Sequence, residues 1–209
     1  GNLEKIRIFY KITKNCRNML LISQNIKNHY NLEFPDDVVL RINLAWCNSL
    51  EELKEKLSNE KNAKFFLDLP QGRIKPPNNK YSLEEMIPIL ESNKQIKYFA
   101  VSNVEGKKDL QPFLDKLPDH INIVPKIESP NSILNIKEIC DALKTEEKVV
   151  MLDHDDLFSS IIRKNENKDN FQEYIKKLID FCEDNNISLL RTVGVVFSDD
   201  EKRITQYEK

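Results

Sequence analysis

Seven short apolar, β-branched runs recur along this chain, and segments with helical spacing of apolar residues separate most of them. The runs fall at residues 6–12, 38–44, 64–69, 98–102, 121–127, 149–153 and 188–196. Several are nearly continuous in apolar character, as suits strands covered on both faces. The helical segments are 15–29, 49–57, 82 onward, 107–117, 131–143 and 170–185. Two of them open on S-L-E-E, at Ser49 and Ser82, the capping-box pattern of a helix start. Strand–helix alternation through seven strands restricts the fold to a parallel α/β architecture. A (β/α)8 barrel is the first expectation and a doubly wound sheet the second, since periodicity alone treats them alike. With 209 residues the chain is short for a barrel of about 250. An eighth strand is not evident, so a single barrel domain over residues 1–209 is expected to be short or incomplete there. Residues 195–207 are expected to give irregular closure or a homo-oligomer contact.

Composition narrows the function classes. Apolar residues are 40% and charged residues 32%, and the formal charge of −2 argues against a generic nucleic-acid binder. No uninterrupted apolar run approaches the ~20 residues of a membrane span. There is no charged-then-apolar leader, and the chain starts with Gly1 rather than methionine, so an upstream segment is expected to have been trimmed. Cys16, Cys47, Cys140 and Cys182 are scattered without zinc-ligand spacing, as expected of reduced cytoplasmic thiols. The four glycines form neither a P-loop nor a dinucleotide-binding loop.

Chemistry concentrates in residues 123–157. The segment reads I-V-P-K-I-E-S-P, then a helix-length crossover, then V-V-M-L-D-H-D-D-L. This is a βαβ unit with Lys126, Glu128 and Asp156 at or near strand ends, where parallel α/β proteins carry their chemistry. Two carboxylates and an amine on one rim could hold a divalent cation and an anionic substrate. The competing reading makes Glu128 and Asp156 helix-start acids favoured by the helix dipole, with Ser129-Pro130 beginning a helix. Lys126 and Glu128, two residues apart, point to one side of a strand, so a structural ion pair is the alternative for Lys126. Arg41 lies inside an apolar run, where an unpaired charge is costly. Its partner is either Asp68 or a ligand anion. His154, among three aspartates, is a general acid/base or an orienting residue. The loop G-R-I-K-P-P-N-N-K at 72–80, with Arg73, is a phosphate clamp or a solvated loop.

Taken in order, the strand ends resemble the central barrel of pyruvate kinase. Residues 39–45 read V-L-R-I-N-L-A, similar to R-x-N-x-S at Arg41 and Asn43. Residues 67–75, L-D-L-P-Q-G-R-I-K, match that family's third strand at Asp68 and loosely at Arg73. A-V-S-N-V contains Ser102, K-I-E-S is similar to K-I-E-N, D-H-D-D-L stands where that family has A-R-G-D-L, and R-T-V-G brings Thr192. The resemblance implies a phosphoenolpyruvate/pyruvate-type barrel. Glu128 and Asp156 would bind Mg2+, or Mn2+ in its place. Lys126 and Thr192 would be catalytic, joined by His154 on its own acid/base reading, and Arg41, Asn43, Asp68, Arg73 and Ser102 would bind a small anionic substrate, phosphoenolpyruvate or a 2-oxoacid. The lid domain inserted after that family's third strand is replaced here by residues 72–80. V-R-I-N, I-E-S-P-N-S-I-L-N and D-H-D-D-L also look similar to the citrate-lyase β-subunit/HpcH aldolases, which implies a Mg2+-dependent C–C lyase with the same metal acids.

Overall fold

The computed structural model of the protein describes residues 5–12, 20–23, 38–71 and 80–197, with side chains placed for 38–71 and 80–191. Eight strands are present among them: β1 Lys5–Ile12, β2 Leu20–Ser23, β3 Val39–Asn43, β4 Lys64–Leu69, β5 Ile96–Val101, β6 Asn122–Ile127, β7 Val149–Leu152 and β8 Ser188–Phe197. Strands β3 to β8 form a curled sheet of six parallel neighbours. The helices between them are α1 Leu50–Asn59, α2 Leu83–Ser92, α3 Lys107–Lys116, α4 Pro130–Leu134, α5 Ile136–Asp141, α6 His154–Arg163 and α7 Asn170–Asp184. Short β2 adds to β3 in parallel, and β1 bonds to both β2 and β8, which closes the strand order.

The expected full (β/α)8 barrel is corrected by β1. It runs antiparallel to β2 and to β8, whereas a (β/α)8 barrel has eight parallel strands, each followed by a helix. The α/β class holds, with a parallel half-barrel of six strands at its centre. The helix expected over 15–29 is also corrected, because Leu20–Ser23 is a strand whose Leu21, Ile22 and Ser23 pair with Val39, Leu40 and Arg41. The helix expected over 131–143 is divided at Asn135, whose ψ of 14° separates α4 from α5.

Both capping serines work as their patterns predict. The Ser49 hydroxyl accepts from the Glu52 amide at 3.1 Å. At Ser82 the box is reciprocal: the hydroxyl accepts from the Glu85 amide, and the Glu85 carboxylate accepts from the Ser82 amide at 2.7 Å. Three apolar clusters result. One packs β3–β5 and the start of β6 against α1–α3 and α5, and another packs β6–β8 against α4–α7. The third lies between the strands: Val39, Phe66, Ala100, Val124, Val149, Met151 and Leu190, with Tyr98 against it. Phe66 is fully buried there, which favours folding by roughly 3 kcal/mol for a side chain of that size.

The third cluster fixes where the polar residues go. Strand side chains alternate with period two. Two residues beyond Val39, Phe66, Ala100, Val124 and Met151, toward the C-terminal ends, stand Arg41, Asp68, Ser102, Lys126 and Asp153. The charged members are buried although they are charged: Asp68 fully, and Arg41, Lys126 and Asp153 each at most 9% exposed. Among the described residues, no helix is long and apolar enough to cross a membrane.

Candidate functional site

Two charged groups meet above the inner apolar layer. In the first, the Arg41 guanidinium donates to the Asp68 carboxylate in a close ion pair. Register brings them together, because Asn43 pairs with Asp68 and places Arg41 on the neighbouring strand one inward step below. The Lys126 ammonium reaches the same Asp68 oxygen at 3.4 Å. Burial alone would raise the Asp68 carboxyl, but the Lys126 and Arg41 cations outweigh it and hold Asp68 below its ordinary range. Arg41 therefore has the protein partner that its place in an apolar strand demanded.

The second group is acidic. Glu128, at the end of β6, meets Asp153 and Asp156 at the start of α6, and one carboxylate oxygen from each lies within 4.8 Å of the others. Asp153 is the cap of α6, and its side chain accepts from the Asp156 amide at 3.0 Å. That bond aligns the exposed Asp156 with the two largely buried acids. Glu128 is held at both oxygens: Lys126 lies 3.5 Å from Oε1, and the Asn103 amide donates to Oε2 at 2.7 Å. Burial pushes the Glu128 carboxyl up to about 7. Lys126 and the Asn103 amide oppose that rise, while Asp153 and Asp156 add to it. Burial works against the Lys126 ammonium, but Asp68, Glu128 and Asp153 overcome it and raise its pKa. Lys126 is thus a fixed positive charge at neutral pH and not a base.

Lys126 joins the two groups, so the rim carries one continuous chain of charge from Arg41 to Asp156. The acids suit a divalent cation. Oxygens at ~2.1 Å from one Mg2+ stand at most about 4.2 Å apart, and at 2.3–2.6 Å from Ca2+ about 5 Å apart.

The other expected residues are more dispersed. The Asn43 side chain accepts from the Ala45 amide at 3.0 Å and caps the short 3-10 turn Leu44–Trp46. Ser102 follows β5, and its buried hydroxyl has no hydrogen-bond partner among the described residues. His154 is buried as the first residue of α6, next to Asp153 in the chain. Thr192 lies in β8 opposite Phe9, and its side chain is outside the described residues. Arg73 and the basic loop also lie outside them. Asp153 and Asn103 were missed as site residues. Period-two counting from Val149 and Met151 would have found Asp153, whereas no sequence pattern marks Asn103 as a donor to Glu128.

No family model matches the chain, and no curated protein matches it. Among solved structures it is similar to RipC from Yersinia pestis, with a TM-score of 0.51 and 17% identity over 72% of this chain and 67% of that chain. That likeness concerns the fold alone. The resemblance to pyruvate kinase, and the lesser one to the citrate-lyase β-subunit/HpcH aldolases, is overturned, because neither a family model nor a curated relative supports it and the structural likeness shown is to RipC. The physical reason is local. A strand that is apolar until it reaches the rim and then turns charged generates K-I-E and V-R-I-N patterns in any such sheet. Asn43, one of the matched positions, is occupied in capping a turn.

Proposed function

We propose that the chain is a divalent-cation-dependent enzyme acting on phosphoenolpyruvate, pyruvate or a related 2-oxoacid through its enolate, with Mg2+ the expected ion and Mn2+ its substitute. The observation that carries this reading is the approach of Glu128, Asp153 and Asp156 to within 4.8 Å beside a buried ammonium. A cation held by these acids would supply Lewis-acid stabilisation of an enolate oxygen. Lys126, kept charged by Asp68, Glu128 and Asp153, would donate to the same developing negative charge. Arg41 would orient a substrate carboxylate while retaining Asp68 as counter-ion. The buried Ser102 hydroxyl offers a further polar contact to that substrate. Proton movement falls to His154 or Thr192.

The second reading is a non-catalytic domain whose acids are architectural. One observation favours it: Asp153 caps α6 through the Asp156 amide, which gives two of the three acids a helix-start role. Glu128 has no such role, and its burial is unexplained by capping. Calorimetric titration of Mg2+ and Mn2+, with and without pyruvate, phosphoenolpyruvate or oxalate, separates the readings. The enzyme reading expects oxalate binding that requires the cation and vanishes in Glu128→Ala. Folded wild type with no metal-linked binding of any of the three acids would overturn it.

A further inference from the structure

We infer that Asn103 is a positioning residue for the metal-binding carboxylate of Glu128, acting through its left-handed backbone rather than through its side chain. The inference rests on the cation reading above. Three described non-glycine residues have positive φ: Asn103 at 56°, Asn165 at 54° and Asn186 at 53°. Asn165 and Asn186 follow the C-terminal ends of α6 and α7, where a left-handed residue commonly terminates a helix. Asn103 follows a strand, two residues after β5, so helix termination does not account for it. What the conformation accomplishes is visible in its bonds. The Asn103 amide donates to Glu128 Oε2 at 2.7 Å, and its side-chain amide donates to the Gln71 carbonyl at 2.6 Å.

The next residues of the same loop are joined to the chain around Glu128. The Val104 carbonyl accepts from the Ser132 hydroxyl at 2.6 Å, and Glu105 Oε1 accepts from the Ser129 hydroxyl at 2.8 Å. The Glu105 carbonyl accepts from the Asn135 side chain at 2.8 Å. The loop after β5 is therefore fixed to α4, immediately after Glu128, and the Asn103 amide meets that carboxylate. With Lys126 on Oε1 and the Asn103 amide on Oε2, the carboxylate plane is set from both sides. Its remaining lone pairs are left to a cation shared with Asp153 and Asp156. Outer groups that orient a ligand in this way change metal affinity when they are lost.

The test separates backbone from side chain. Glycine adopts positive φ without strain, whereas a β-branched residue there is a steric outlier. Mn2+ affinity is measured by calorimetry for wild type, Asn103→Gly, Asn103→Val and Glu128→Gln, each checked for folding by circular dichroism. Asn103→Gly should bind as wild type, Asn103→Val should weaken binding about 10–100-fold, and Glu128→Gln should abolish it. If Asn103→Val does not fold, Asn103→Ala replaces it, with a smaller loss in the same direction. A folded Asn103→Val or Asn103→Ala that binds like wild type, while Glu128→Gln does not bind, overturns this inference and leaves the cation reading standing. Loss of binding in Asn103→Gly also overturns it, by assigning the role to the side chain. Folded wild type that binds no Mn2+ removes both.

Discussion

The two halves of the rim solve the problem of buried charge in opposite ways. Around Asp68, two cations converge on one carboxylate, and the group is held ionised below its ordinary pKa. Around Glu128, burial pushes the carboxyl up to about 7, and the converging Asp153 and Asp156 carboxylates add to that rise. The first half is complete in its counter-ion: Asp68 stays ionised between Arg41 and Lys126 and holds both in place. In the second, repulsion among Glu128, Asp153 and Asp156 opposes ionisation, which is the condition a divalent cation relieves. The same residue types, a few ångströms apart, thus leave one carboxylate neutralised by two cations and another among like charges.

The largest expected effect breaks the complete half. Asp68→Ala leaves Arg41 and Lys126 buried without their shared counter-ion, and removing one partner of such a pair costs about 3–5 kcal/mol. Urea denaturation should show this loss whether or not Mg2+ is present. Glu128→Gln should leave stability without a cation intact or improved at pH 8, because it removes a carboxylate that burial and its neighbours disfavour. If both variants lose the same stability, the two halves do not differ in kind.

The pH dependence sharpens the contrast, because the two shifts have opposite signs. Glu128 titrates above its ordinary 4.5 in the fold. Its contribution to stability is fully present below that value and is lost as pH rises through about 7. The cation-free protein should therefore lose stability across this window by up to about 1.4 kcal/mol per pH unit, and Glu128→Gln should not. Asp68 is lowered from its ordinary 3.8. Its contribution is present above that value and is lost as pH falls through its lower folded value. Thermal melts from pH 3 to 8, with and without Mn2+, check both. Added Mn2+ should flatten the loss near pH 7 and leave the acid limb unchanged.

How much of this was legible in the sequence depended on whether a feature is local. The capping serines Ser49 and Ser82, the strands from 39 to 69 and from 122 to 152, and the Lys126–Glu128 pairing follow from spacing, because cap and pleat act over two to four residues. Leu20–Ser23 was lost inside an apparent helical period, since Met19, Leu20, Ile22 and Ile26 fit a helical face as well as a short apolar strand. Helix α6 is hidden in the sequence because D-H-D-D-L looks like the end of a strand, although Leu157 and Ile161 are buried at helical spacing. The direction of β1 is set by how the chain returns from it and by its partners β2 and β8, which no window of its own residues contains. Asn103 is the extreme case: its donation to Glu128 spans 25 positions and depends on one backbone angle.

The smallest effect falls at Asp153, which both caps α6 and belongs to the acid cluster. Asparagine is about as good a helix cap as aspartate, whereas alanine costs about 1 kcal/mol at such a position. Asp153→Asn should keep stability within roughly 0.5 kcal/mol of wild type, while Asp153→Ala should lose about 1 kcal/mol. Both should weaken Mn2+ binding, because each removes an anionic ligand. Paired denaturation and calorimetric titrations read the two roles separately. If Asp153→Asn binds Mn2+ as wild type does, the residue is a cap alone. The acid half would then be reduced to Glu128 and Asp156, and the difference between the two sides of the rim would lie in burial rather than in a place built for a cation.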